Sequence, residues 1–95
     1  MNKYELALVL SPSIDEETKN AEMTKIQELI ERFGGKIEKV DEWGKRRLAY
    51  PIAKNNEGFY SFTTFEADPS APAEIESRVR IMENVLRYLI VRKEG

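Results

Sequence analysis

The sequence predicts an α+β sandwich built in the order strand, helix, strand, strand, helix, strand. Three observations predict it. Apolar residues change from strand-like to helix-like spacing and back in that order. Gly34-Gly35 and Asp68-Pro69-Ser70 punctuate the pattern where elements must end. A chain of 95 residues has room for one core, and no linker or low-complexity segment divides it.

The run Tyr4-Glu5-Leu6-Ala7-Leu8-Val9-Leu10 is apolar apart from Glu5, the mark of a strand near the centre of a sheet. Ser11-Pro12 ends it. Ser13-Ile14-Asp15-Glu16 fits a capping box, with Ser13 and Glu16 satisfying each other's amides at a helix start. Met23, Ile26, Ile30 and Phe33 fall on one helical stripe that stops at Gly34-Gly35. Lys36 to Ile52 reads as a long second strand. Ile37 and Val40 differ in parity and Gly44 interrupts the run, so a bulge or bend is expected, and the charged middle suggests an edge.

Asn55-Asn56-Glu57-Gly58 has turn chemistry, making the second strand and a third from Phe59 to Ala67 an antiparallel hairpin. After Asp68-Pro69-Ser70-Ala71-Pro72 a second helix places Ile75, Val79 and Met82 on its apolar stripe and ends near Asn84, with Pro72 tolerated in the first turn. Val85 to Arg92 is the last strand.

This order is the ferredoxin-like βαββαβ plan: a four-stranded antiparallel sheet with both helices on one face and the first and third strands in the middle. The other face stays open. Alternation sends Leu6, Leu8 and Leu10 under the helices and leaves Glu5, Ala7 and Val9 open. Tyr88 and Ile90 are expected in the core, with Arg87, Leu89 and Val91 outward. On the third strand Phe65 suits the core, which puts Tyr60 and Phe62 on the open side. Ala7, Val9, Tyr60, Phe62, Leu89 and Val91 then form an apolar patch larger than a monomer normally leaves to water.

Composition narrows the function. The chain is 41% apolar and 34% charged, with a net charge of −2, which argues against coating nucleic acid by bulk electrostatics. Any such contact must come from a local cluster. Acids dominate from Asp15 to Glu31, Lys45-Arg46-Arg47 is wholly basic, and Arg87, Arg92 and Lys93 face one acid near the C-terminus. No stretch approaches the roughly 18 apolar residues of a membrane span, and the N-terminus opens into a strand pattern, as in a mature cytoplasmic protein.

The absence of Cys and His removes disulfides, thiolate chemistry, most zinc sites and the commonest proton-transfer group. Asp15, Glu16 and Glu17 suit the first turn of a helix, where they complement its dipole. With no Gly-rich phosphate loop, no nucleophile beside a base and no metal-ligand spacing, neither enzyme, metal, cofactor nor small-molecule substrate is expected.

Two other classes share the plan. An RNA-recognition-motif-like binder of single-stranded RNA stacks bases on aromatics of the first and third strands. Here the aromatics after Gly58 are one place out of register, and the first strand has no interior aromatic. A ferredoxin-like regulatory module binding a small ligand at its sheet would self-associate through that face.

The run Arg46-Arg47-Leu48-Ala49-Tyr50-Pro51-Ile52-Ala53-Lys54 is distinctive. With the opening Tyr4-Glu5, the Gly34 stop, Glu38-Lys39-Val40, Gly44, Gly58 and the later Arg80-Ile81 and Asn84-Val85, it makes the whole chain resemble the bacterial small-subunit ribosomal protein six family. The resemblance implies no catalysis, a place in the cytoplasmic ribosome, and binding to the central domain of small-subunit ribosomal RNA together with small-subunit ribosomal protein eighteen. Many members carry a C-terminal extension. This chain stops at Gly95, so the sheet and its edges are expected to supply most of the contact.

On that footing Lys3, Lys54, Arg80, Arg87 and Arg92, near sheet ends and rim, are the expected phosphate contacts. Asp41, Glu42, Lys45, Arg46, Arg47, Tyr60, Phe62, Leu89 and Val91 are the expected partner contacts. Charges on the edge strand also block pairing of the protein with itself, a role compatible with binding the correct partner. Trp43 beside Gly44 is expected to pack at the bend.

Overall fold

The computed structural model describes residues 1–52 and 55–93. Strand β1 (Asn2–Leu10) is followed by helix α1 (Glu16–Arg32), β2 (Lys36–Ile52), β3 (Asn55–Ala67), α2 (Ala71–Val79) and β4 (Val85–Lys93). All pairings are antiparallel and the strand order is β2-β3-β1-β4. The expected plan is borne out, with β1 and β3 central and β2 at an edge.

Burial of one sheet face drives the arrangement. Leu6, Leu8 and Leu10 of β1 and Phe65 and Ala67 of β3 meet Met23, Ile26 and Ile30 of α1 and Ala71, Ile75 and Val79 of α2. Full burial of each large apolar side chain is worth about 1.5–3 kcal/mol, so this layer dominates the favourable side of folding. The Tyr4 and Phe65 rings lie 5.7 Å apart at one end of the layer. Ser61 and Thr63 are buried on the same side, and the Ser61 hydroxyl donates to Met23 Sδ at 3.5 Å.

The caps differ from the expectation. Asp15, not Ser13, caps α1: its carboxylate accepts the Thr18 amide at 2.7 Å, while the Ser13 hydroxyl pairs with that of Ser11 at 2.8 Å. A carboxylate at that position also meets the positive end of the helix, which a serine does not. The Thr18 side chain and amide both hold the Asp15 carboxyl below its ordinary range. At the far end Gly34, at φ 83°, closes the helix as expected.

Helix α2 ends at Val79, about one turn before the expected Asn84. Past Arg80 the chain makes two tight turns, Met82 N–H to Val79 O at 3.1 Å and Val85 N–H to Met82 O at 3.3 Å. The Ser11 amide then holds Asn84 O at 2.8 Å, which fastens the end of β1 to the start of β4. Met82 still packs on the core, from a turn rather than from the helix. Ile81 is left 75% exposed.

The reversal between β2 and β3 falls between Ile52 and Asn55, which pair, so Asn55-Asn56-Glu57-Gly58 belongs to β3 and not to the turn. β1 meets β3 only as far as Phe59, so the hairpin runs on past the four-stranded part of the sheet. Register shifts lie between Ile37 and Lys39, between Glu42 and Gly44, and between Arg47 and Ile52. These account for the broken parity along the strand. Gly44 sits at the second shift with φ 77°, a backbone that costs other residues about 1–2 kcal/mol.

Gly58 is required for a different reason. A Cβ there would collide with Val9 Cγ1 and lie 3.2 Å from Leu10 O, with Leu48 Cδ2 at 3.9 Å. The bare backbone lets Val9 and Leu48 close over β3. Gly58→Ala is therefore expected to lower stability by about 1–3 kcal/mol, as overpacked sites do. A urea titration followed by circular dichroism measures it, and an unchanged midpoint would refute the close approach.

Candidate interaction site on the open sheet face

The face away from the helices is built by alternation from all four strands. Ala7 pairs with Phe62 on one side and Leu89 on the other, Val9 with Tyr60 and Arg87, and Glu5 with Thr64 and Val91. The sequence assignment of Ala7, Val9, Tyr60, Phe62, Leu89 and Val91 to one face is correct. Leu89 is 50% exposed and Val91 40%, whereas Val9 is buried beneath Leu48 and Tyr60 and Phe62 are half-buried.

The covering residues come from β2. The shift between Ile37 and Lys39 sets the parity that places Asp41 and Trp43 on the open face, where the indole ring lies 4.7 Å from that of Phe62. The indole N–H donates to Asp41 Oδ2 at 3.2 Å, and the Arg46 guanidinium lies 5.9 Å from the ring. Trp43 packs at the bend as expected, yet it remains 49% exposed. Sequence reasoning left it out of the open face because parity counting fails across a bulge. The aromatic next to Gly44 was the available signal.

Of the expected partner residues, Asp41, Arg46, Tyr60, Phe62, Leu89 and Val91 lie together on this face. Glu42, Lys45 and Arg47 point to the helix side. Glu42 pairs with Lys19 of α1 at 3.9 Å, and Lys45 Nζ stands 5.4 Å from the centroid of Phe59, which packs on the core. Arg47 shares the parity of Lys45, opposite Glu57.

The expected phosphate contacts are not brought together. Lys3 and Arg87 belong to the open face, at opposite ends. Arg92 lies opposite Tyr4 at the β4 edge and donates to Asn2 Oδ1 at 3.3 Å. Arg80 caps α2 in the helical layer. Lys54 lies outside the described residues.

Charge divides the open face. Around the start of β1, Lys3 pairs with Glu38 at 3.2 Å and Lys93 with Glu5 at 3.4 Å. There a hollow of about 270 Å³ is lined by Glu5, Lys39, Asp41, Trp43, Phe62, Thr64 and Lys93. Toward the hairpin the charged lining is cationic. A hollow of about 350 Å³ is lined by Trp43, Arg46 and Tyr60, and one of about 180 Å³ has Ala7 and Val9 as floor and Tyr60, Phe62, Leu89 and Arg87 around it. A larger cavity of about 630 Å³ lies on the helix side, lined by charges of both signs such as Glu22, Lys25, Arg32 and Arg78, and no expected site residue lines it.

An α+β platform with two helices behind it and a half-exposed, cation-edged apolar face in front is a binding scaffold. Among the described residues no cluster of His, Cys, Asp or Glu has metal-binding geometry, and no helix is long and apolar enough to cross a membrane. The profile of the family "Ribosomal protein S6" matches residues 3–92, and the chain belongs to that family. It is 50% identical to small ribosomal subunit protein bS6 of Clostridium kluyveri and 47% identical to that of Clostridium novyi, in each case over 99% of both chains.

The crystal structure of 30S ribosomal protein S6 from Thermotoga maritima superposes with a TM-score of 0.93 at 31% identity, covering 97% of this chain and 87% of that one. The C-terminal domain of the MgtC protein from Mycobacterium tuberculosis shares the fold alone, with a TM-score of 0.65 at 7% identity. The family consists of structural constituents of the small ribosomal subunit, cytoplasmic in bacteria, and is not enzymatic.

One pair of carboxyls at the Lys3 end makes stability depend on pH. The Glu66 carboxyl is raised by its hydrogen bond to Glu38 and by that neighbour's charge, while the same hydrogen bond and Lys3 lower Glu38. A raised carboxyl favours the fold while protonated, and that contribution is lost as pH rises through its folded value. The lowered Glu38 acts oppositely: its contribution is present above the unfolded value and lost as pH falls through the folded one. Glu66→Gln keeps a donor for Glu38 and removes the like charge. The variant is expected to melt above the parent at pH 7, with the difference shrinking as pH falls through the raised Glu66 value toward about pH 4.3, where unperturbed glutamate protonates. A lower melting temperature at pH 7, or a gap independent of pH, would contradict this.

Proposed function

We propose that the chain binds the central domain of small-subunit ribosomal RNA jointly with small-subunit ribosomal protein eighteen, using its open sheet face and the base of its hairpin. The observation that carries the reading is the coincidence of exposed apolar groups (Trp43, Leu89) with cations at the hairpin end of that face. Apolar area of this kind calls for a cover, and depletion of acids beside it favours a partner that comes with phosphate.

In this reading Asp41, Arg46, Tyr60, Phe62, Leu89 and Val91 form the main partner surface, with Arg46 and Tyr60 at its border with the RNA. Glu42, Lys45 and Arg47 reach it only if the partner wraps the β2 edge. Phosphate is met by cations of the rim, Arg87 nearest the hairpin end, with Lys3, Arg80 and Arg92 disposed around the chain and Lys54, outside the described residues, kept in the set. The mild net charge of −2 suits a protein that shares its RNA contact rather than supplying all of it.

Two outcomes are expected. A filter-binding titration of central-domain RNA gives affinity roughly 5- to 150-fold higher with the partner present, the usual range of coupling between two sites. Equal affinities in both arms would remove the joint-binding reading. Replacing Arg46 and Arg47 by Ala weakens partner association by about tenfold while the melting curve holds, the size of loss expected for exposed interfacial charges. Because only Arg46 faces the open side, Arg46→Ala alone accounts for most of that loss. Undiminished co-purification of the double variant would assign both arginines to solubility.

A further inference from the structure

We infer that the hollow between Trp43, Arg46 and Tyr60 is a stacking site for one unpaired nucleobase of the bound RNA. This rests on the RNA reading above and assigns it a contact. Trp43 is held in place by two independent interactions, the ring of Phe62 at 4.7 Å and the hydrogen bond from its indole N–H to Asp41 at 3.2 Å. A large ring is thus fixed in position yet left 49% exposed. An aromatic that served only to cover the bulge would need no such exposure.

The surroundings fit a nucleotide. The hollow measures about 350 Å³, room for a purine with part of its sugar, and its lining consists of two aromatics and a guanidinium. Aromatic faces accept any base, and a neighbouring arginine adds stacking, cation–π attraction and a phosphate contact. Asp41, the acid nearest the indole, has an oxygen engaged by the indole N–H. Lys45 and Arg47 flank Arg46 along the strand, so the local charge opposes that of a phosphodiester and matches no cationic side chain. Phe62 is less suited to stacking a base because Trp43 already lies against it.

Trp43 is the only tryptophan of the chain, which gives a direct readout. The full chain, with small-subunit ribosomal protein eighteen, is titrated with a central-domain RNA fragment while tryptophan emission is followed. The same titration with Trp43→Phe subtracts any signal from the partner. Binding of RNA is expected to quench the Trp43 emission. Trp43→Leu, which keeps apolar bulk but no ring, should weaken RNA binding roughly 5- to 100-fold, the range for one stacked base, while Trp43→Phe stays within about threefold of the parent.

Quenching already complete with the partner alone would make the hollow a protein contact and overturn the inference. So would RNA binding at parental affinity by Trp43→Leu with its melting temperature preserved, and in that case joint RNA binding would stand without the stacking site. Failure of the parent chain and partner to bind the RNA at all would remove both.

Discussion

Two helices cover one side of a four-stranded sheet, and among the described residues no further element lies over the other. That asymmetry governs the rest. Leu6, Leu8, Leu10 and Phe65 commit their strands to the helices, and alternation then forces Ala7, Val9, Tyr60, Phe62, Leu89 and Val91 to the opposite side whatever their chemistry. A register slip of one residue would exchange the two sets, so burial of the leucines also fixes what the open face displays.

The bulge in β2 modifies that face. Alternation from Ile37 alone would turn Trp43 toward the helices, and the shift between Ile37 and Lys39 reverses that parity, so that Asp41 and Trp43 both face outward. The second shift, between Glu42 and Gly44, is taken up by a left-handed glycine and keeps Arg46 on the same face as Trp43, whose ring lies against Phe62. Val9 and Leu48 close the neighbouring gap only because Gly58 lacks a side chain. Part of the sheet is therefore covered from within by β2, while β4, the opposite edge, keeps Leu89 and Val91 exposed. The uncovered area runs from the exposed indole to the β4 edge and is continuous through Tyr60 and Phe62.

Much of this was legible in the residues. Strand limits of β2, the glycine stop of α1, the parity of β1, β3 and β4 and the choice of Phe65 for the core all follow from periodicity, because each rests on burial that repeats along an element. The misplacements have another cause. Ser13 and Asp15 are both sound caps, and the choice depended on where α1 begins relative to the sheet. Asn55 to Gly58 carries turn residues, yet the long pairing of β2 with β3 claims them. Beyond the end of α2 the chain is tied by the Ser11–Asn84 bond between distant segments, which no local pattern contains. For the site the same rule holds: residues on regular strands fall on the face that alternation gives them, whereas the side taken by Trp43 depends on a register shift in β2 that parity does not reveal.

Electrostatics and packing then point the same way along the open face. At the Lys3 end, cations and acids satisfy one another in pairs, and such a region gains little from a charged ligand because existing partners must first be separated. At the hairpin end the linings are aromatic, aliphatic and cationic, so a phosphate-bearing ligand meets charge of the opposite sign there and gains apolar contact as well. A partner protein that covers Leu89 and Val91 would also exclude water beside Arg46 and Arg87. Lower local dielectric strengthens attraction between those cations and phosphate. Joint binding of protein and RNA needs no conformational change under these conditions, because each ligand improves the surroundings in which the other binds.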